Sequence, residues 1–393
     1  MLEKALQGNA KYWSWVGFLL SMMGMGALCY VLQFNYGLGL TGMSRDVSWG
    51  LYISQFTFLV GVAASAVMLV LPYYLHNFKE FGRITILGEF LAIAAVSMCL
   101  MFIMADLGQP MRALNVMIHP TPNSILFWDM IVLNGYLFLN VVVGWVALNS
   151  EYKGTHPPKW VYPFVYLSIP WAVSIHTVTA FLYCGLPGRH FWMTAILAPR
   201  FLASAFAGGP ALLIILVLIV RKFSSFDAGD KAINKLVTVI IYAGLMNFFF
   251  VGLELFVGYY SNIPGHIHTL DYLFFGLADH DTGVIYNNLM PWMRVSVIMG
   301  VISLCLLGCK KTRENSGMLF VACGLMFFSL WIDKGLGLVL GGFVPTPLEY
   351  VTEYIPSIPE IFITLGVWCT GFFILTILYK VAISVKTEAE RVS

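Results

Sequence analysis

The sequence predicts an all-α integral membrane protein of about ten transmembrane helices. Composition is the first observation: 59% of the 393 residues are hydrophobic and only 11% are charged, whereas a soluble domain carries about 25% charged residues. Mean hydropathy is +0.81. The second is length. Ten apolar stretches lie at roughly 12–35, 49–75, 84–105, 124–148, 160–183, 200–220, 236–259, 291–308, 316–332 and 358–379, and about 20 helical residues cross a hydrocarbon core of about 30 Å. These runs are continuous and lack the ten-residue alternation of barrel strands. The third is charge. Sixteen of the 22 Lys and Arg residues fall at the N-terminus, in the loops around 76–83, 149–159, 221–235 and 309–315, or at the C-terminus. The other six fall around 36–48, 106–123, 184–200, 260–294 and 333–357. The positive-inside rule then places both termini in the cytoplasm.

Each element follows in order. Lys4 and Lys11 precede the first stretch, but Tyr12 to Ser44 holds no charge and no convincing small-residue cleavage site. It reads as an uncleaved first helix rather than a signal peptide. Lys79 and Arg83 separate the second and third stretches. Pro120 and Pro122 break the chain before the fourth. Arg221, Lys222, Lys231 and Lys235 follow the sixth and read as topology anchors, and no basic run suggests nucleic acid. The segment 260–290 after the seventh stretch is the least apolar internal one, and loops of that length are often functional. Trp13, Trp15, Trp49, Trp128, Trp160, Tyr162 and Trp292 stand at helix ends, as an interfacial belt requires. No polar linker divides the chain, so residues 1–393 form one polytopic domain. The small-residue start of 49–75 is similar to that of 200–220, which suggests a repeat of 49–183 in 200–332. The repeat would make two four-helix bundles.

The seven cysteines form no CxxCH and no CxxC pair, so neither a c-type haem nor an iron–sulphur cluster is expected in this chain. Most lie in apolar runs, where Cys behaves as a small hydrophobe. Of eight histidines only His176 lies well inside an apolar run, so a bis-histidine haem is not expected either.

Ionisable groups within a membrane are costly and point to function. Asp106 ends the third stretch on the outer side. Asp129 lies about one and a half turns into the fourth. His176 is about 10 Å from the outer end of the fifth at 1.5 Å per residue, and Glu254 is near the outer end of the seventh. Four helices thus carry polar groups at similar outer depth. The set suits quinone chemistry, in which a His and a carboxylate supply hydrogen bonds and take up protons. The plainer reading is that these groups bond one another or the backbone and hold helices together. Glu89, near the cytoplasmic end of the third stretch, is either the inner mouth of a proton path or an interfacial acid facing water, and the second is favoured. Asp106 and Arg112 are spaced to pair across the turn at Gly108 and Pro110. Alternatively, Arg112 and His119 dock a partner or line a quinone mouth.

The block DLGQP-x-R from Asp106, then HP-x-P from His119 and WD at 128–129, resembles the NrfD/PsrC family of membrane quinone subunits. Pro170, His176, Trp192, Ser204 and Gly208 fit the same pattern. Residues 50–260 carry the likeness well and the remainder by helix count. The length is most like the longer branch, which includes the P subunit of the Dsr complex of sulphate reducers and the Hmc-type subunit. The resemblance implies two four-helix bundles plus two extra helices and exchangeable menaquinone near the outer face. It implies Asp129 and His176 in the quinone pocket, with Asp106 and Arg112 at the rim; Glu254 matches less closely. It also implies an outer ferredoxin-like iron–sulphur subunit, a multihaem cytochrome c further out, and a bacterial or archaeal cytoplasmic membrane.

The residues and the resemblance together describe the quinone half of an oxidoreductase, with His176 and Asp129 as proton-handling groups, exposed to lipid and quinone. A secondary transporter also shows repeats, Gly/Pro-interrupted helices and buried acids, but here the acids gather near one face rather than at the midplane. An inert anchor for an outer redox subunit is the third reading.

Overall fold

In the computed structural model, described for residues 2–75, 78–224, 226–278 and 283–392, the chain is an all-α integral membrane protein. Ten helices among the described residues are long and apolar enough to span a membrane: α1 (Ala10–Tyr36), α2 (Leu51–Leu75), α3 (Thr85–Asp106), α4 (Ile125–Tyr152), α5 (Lys159–Cys184), α6 (Leu197–Phe223), α7 (Asp230–Tyr260), α8 (Met290–Gly308), α9 (Ser316–Gly341) and α10 (Ile358–Glu388). Helices α2 to α5 pack as one four-helix group and α6 to α9 as another. The groups meet where α2 lies against α6 and α9. The remaining pair, α1 and α10, packs together and against α3. Gly26 and Gly366 let these two backbones touch, for a Cβ on Gly26 would lie 2.8 Å from the Gly366 Cα.

Both termini share one end of the bundle. There Lys4 pairs with Glu388 and Lys386 pairs with Glu151 at 2.7 Å. Trp13, Trp15, Trp128, Trp160 and Trp292 are exposed, as an interfacial belt demands. Trp49 departs from that pattern. It stacks on Trp192 and meets Tyr183 and Phe343 edge-on, forming an aromatic plug under the opposite end.

That opposite end is tied together across distant loops. Arg189 donates to the Asp46 carbonyl at 2.9 Å and lies over the Phe343 ring. The Trp192 indole donates to the Leu338 carbonyl at 2.8 Å, and Thr269 donates to the Val344 carbonyl at 2.7 Å. Buried Glu360 accepts from the Tyr354 hydroxyl and from the backbone N–H of Gly42 and Ser357, closing the start of α10. The segment after α7 holds a helix (Pro264–Phe274) and a two-residue hairpin pairing Leu277–Ala278 with Ile285–Tyr286. His76 and His280 lie outside the described residues.

Two spans run differently from the hydropathy. Helix α2 breaks at Ser65–Ala66, where the Ser65 hydroxyl turns back to the Val62 carbonyl. Helix α9 continues past the apolar stretch at 316–332, and Asp333 and Lys334 lie inside it on a π-turn, Trp331–Gly337. A charge pair ends an apolar window on a hydropathy scale, but a helix accepts it when both side chains are buried in protein.

Candidate functional site: a buried polar layer opposite the termini

Asp129 is the fifth residue of α4 and is 1% exposed. Its Oδ1 accepts a hydrogen bond of 2.9 Å from Thr179 on α5. His176, fully buried, stands three residues before Thr179 and so lies on the same helix face. Neither imidazole nitrogen meets a hydrogen-bond partner among the described residues. Asp129 and His176 thus occupy neighbouring positions linked by Thr179, with no hydrogen bond between them. Toward the loops the group is closed by Tyr183, whose hydroxyl bonds that of Thr57 on α2.

Glu254 belongs to a second group. Arg200, near the start of α6, pairs with Glu254 of α7 and with Asp333 of α9, the latter at 2.8 Å. Arg200 is only 6% exposed. A small cavity of about 10 Å³ lies beside this triad, walled by Phe191, Leu270, Phe274 and Met293 among others. The hydropathy reading assigns Arg200 and Lys334 to the cations of the outer loops, yet both are buried within spans. Removing them from the loops deepens the charge asymmetry between the two ends.

Lys334 lies between the groups. Its Nζ faces the Phe201 ring at 4.2 Å and is 3.5 Å from the Phe201 carbonyl. His176, Arg200, Asp333 and Cys99 all lie within electrostatic reach of its Nζ.

Asp106 and Arg112 do not form the pair expected across their turn. Arg112 ends a short helical turn (Pro110–Arg112) and is exposed. The Asp106 side chain instead lies near Tyr52 and Glu360, and its Oδ1 is buried without a partner among the described residues. The end of α3 directs Asp106 toward α1, where Gln33 holds the Ala105 carbonyl at 2.7 Å. His119 is exposed beside Met117 and Ile118. Glu89 is also corrected. It does not face water: it is 2% exposed, and neither carboxyl oxygen has a partner among the described residues. Helix α3 is enclosed by α2, α4 and α10 at this level.

A larger apolar cavity of about 640 Å³ opens between α1, α3 and α10, lined by Met23, Tyr30, Met101, Met104, Ile363 and Thr370 among others. Neither Asp129 nor His176 lines it. The two unpartnered ring nitrogens of His176, one a donor and one an acceptor in the neutral imidazole, suit a ligand carrying both hydrogen-bond donors and acceptors. Among the described residues no three His, Cys, Asp or Glu side chains gather as metal ligands would.

A ten-helix bundle with a buried ionisable layer near one end defines a polytopic membrane protein with a polar site inside its spans. The pattern of the polysulphide reductase NrfD family matches residues 39–336, and the chain belongs to that family. It is 26% identical to a protein of Halobacterium salinarum named as a membrane subunit of dimethyl sulfoxide reductase, over 92% of this chain and 89% of that one. It is 23% identical to the Hdr-like menaquinol oxidoreductase integral membrane subunit of Archaeoglobus fulgidus, over 67% and 62%. It is 20% identical to the menaquinone reductase integral membrane subunit of Nitratidesulfovibrio vulgaris, over 97% and 94%.

Proposed function

We propose that this chain is the quinone-exchanging subunit of a respiratory complex in a bacterial or archaeal cytoplasmic membrane. It oxidises menaquinol or reduces menaquinone near the end opposite its termini, which are cytoplasmic. The observation that carries the reading is His176, buried in full with both ring nitrogens unpartnered, one turn from the Thr179 that holds Asp129. Imidazole can bind a quinol hydroxyl and take its proton, and a nearby carboxylate can accept the charge. Asp129 and His176 are the proton-handling groups; Asp106, Arg112 and His119 lie toward the rim. Glu254 belongs to the supporting triad rather than to the first contact.

Two relatives' names support menaquinone as the quinone. Relatives named as subunits of dimethyl sulfoxide and selenate reductases support soluble partner subunits. The likeness to the family's longer branch favours an outer ferredoxin-like iron–sulphur subunit and a multihaem cytochrome c as electron partners. It also favours the Dsr- and Hmc-type subunits as the nearest in kind.

The test is oxidation of a menaquinol analogue by the purified native complex, comparing His176→Ala and Asp129→Asn with wild type, with assembly checked in each. Assembled variants that no longer reduce the partner centres uphold the reading. Assembled variants that turn over normally make these residues structural, and Asp106 beside the apolar cavity becomes the next place to look.

A further inference from the structure

Lys334 is 3% exposed and has no carboxylate partner of its own among the described residues. Asp333, the adjacent acid, is held by Arg200. The amine instead packs on the aromatic face of Phe201 and makes a long contact of 3.5 Å with the Phe201 carbonyl. It also packs against α2 at Gly61, where a Cβ would lie 3.2 Å from Nζ. An ammonium placed for structure alone would be expected to meet an acid, because an unpaired buried charge is costly. The position also lies on a π-turn, a geometry found often at functional sites.

The ionisable groups around it come from four helices: His176 of α5, Cys99 of α3, Arg200 of α6 and its own neighbour Asp333. α2 presents no ionisable group there. Among its neighbours are an imidazole with two unpartnered nitrogens and, in the Arg200 triad, two carboxylates with one unpartnered oxygen each, Glu254 Oε1 and Asp333 Oδ2. Buried polar atoms left without protein partners are commonly joined by water.

We propose that Lys334 is a proton-transfer site joining the two four-helix groups. The Lys334 ammonium gives a proton to a free carboxylate oxygen of Asp333 or Glu254, and the neutral amine left behind takes up, through water, the proton released at His176. No bond to carbon and no electron moves in this step. The inference rests on the quinone reading above and assigns the route by which its proton leaves the layer.

The test uses the native complex with Lys334→Met and Lys334→Arg. Arginine keeps the positive charge but gives up no proton. Both variants are expected to bind a menaquinone analogue with wild-type affinity, to turn over about tenfold or more slowly, and to show a larger solvent deuterium isotope effect. Wild-type turnover in Lys334→Arg would overturn the proposal, because charge alone would then suffice. Lost quinone affinity in Lys334→Met would also overturn it, making Lys334 a binding residue. Infrared difference spectra of the unmodified complex labelled with ¹⁵N-lysine test the same point without a substitution. An isotope-shifted ammonium band on quinol addition supports proton exchange at lysine, and its absence overturns it. Failure of the unmodified complex to oxidise quinol would strike the quinone reading itself.

Discussion

Thr179 of α5 donates a hydrogen bond of 2.9 Å to Asp129 of α4, and its hydroxyl oxygen also lies 2.7 Å from the Ile175 carbonyl on its own helix. One hydrogen faces two acceptors, so the hydroxyl shares it between the carboxylate and the backbone. This contact joins α4 to α5 beside His176. Thr179→Val should strip Asp129 of its side-chain donor and cost about 1–3 kcal/mol, the range for an unsatisfied buried polar group. Thermal unfolding of the detergent-solubilised chain reads the stability. Quinol oxidation should fall in Thr179→Val and recover in Thr179→Ser, which keeps the hydroxyl. Equal activity in both would leave the bond a structural tie.

The Arg200 triad joins α6, α7 and α9. Removing the guanidinium strands two buried acids, so Arg200→Leu should destabilise by about 3–5 kcal/mol. Replacing all three members by Leu removes the unpaired charges and should restore most of that loss, as replacements of buried ion pairs by apolar residues often do. Thermal midpoints of the single and triple variants decide it. If the triple variant is no more stable than the single, packing at the interface matters more than charge compensation.

What the sequence made legible follows from what hydropathy measures. Ten spans and their alternation were readable because each apolar run is uninterrupted and basic residues cluster in alternate loops. Asp129 and His176 were readable for the opposite reason, as lone ionisable groups in such runs. Arg200, Asp333 and Lys334 were hidden because each sits at the edge of an apolar window, where a charge is read as the start of a loop. The signal that could have found them is the D-K pair at 333–334 followed by GLGLVLGG, too apolar for a water-facing loop. The Asp106–Arg112 pairing failed for a different reason: spacing brings two residues near in chain, but the end of α3 sets which way Asp106 points.

Acid should loosen the helix Pro264–Phe274 from the loop that carries His190. His266 is partly buried there beside His190, and burial followed by that neighbour's charge holds its pKa below the usual histidine value. The folded state therefore binds fewer protons than the unfolded one as pH falls through the ordinary histidine range near 6.5. Stability from this contact is full above that range and declines below it. Hydrogen-exchange protection in this helix, after correction for the intrinsic pH dependence of amide exchange, should fall between pH 7.5 and pH 5.5, about one unit either side of that value. His266→Gln, which has no charge to gain, should abolish most of the change. Unaltered pH dependence in the variant would assign the effect to another group.

Glu89 poses the sharpest choice between stability and function. Its two oxygens are buried without partners among the described residues, close to Phe90 and Gly144. Burying a polar group without compensation costs about 1–3 kcal/mol by protein mutational data. Glu89→Leu should therefore raise the thermal midpoint, and Glu89→Gln should change it little. An ionisable group inside a membrane span is costly and points to function. If Glu89 conducts protons, Glu89→Leu gives a more stable complex with slower quinol turnover, and Glu89→Gln shares the slow turnover without the gain in stability. A variant that is both more stable and fully active would show that this acid has no part in proton movement.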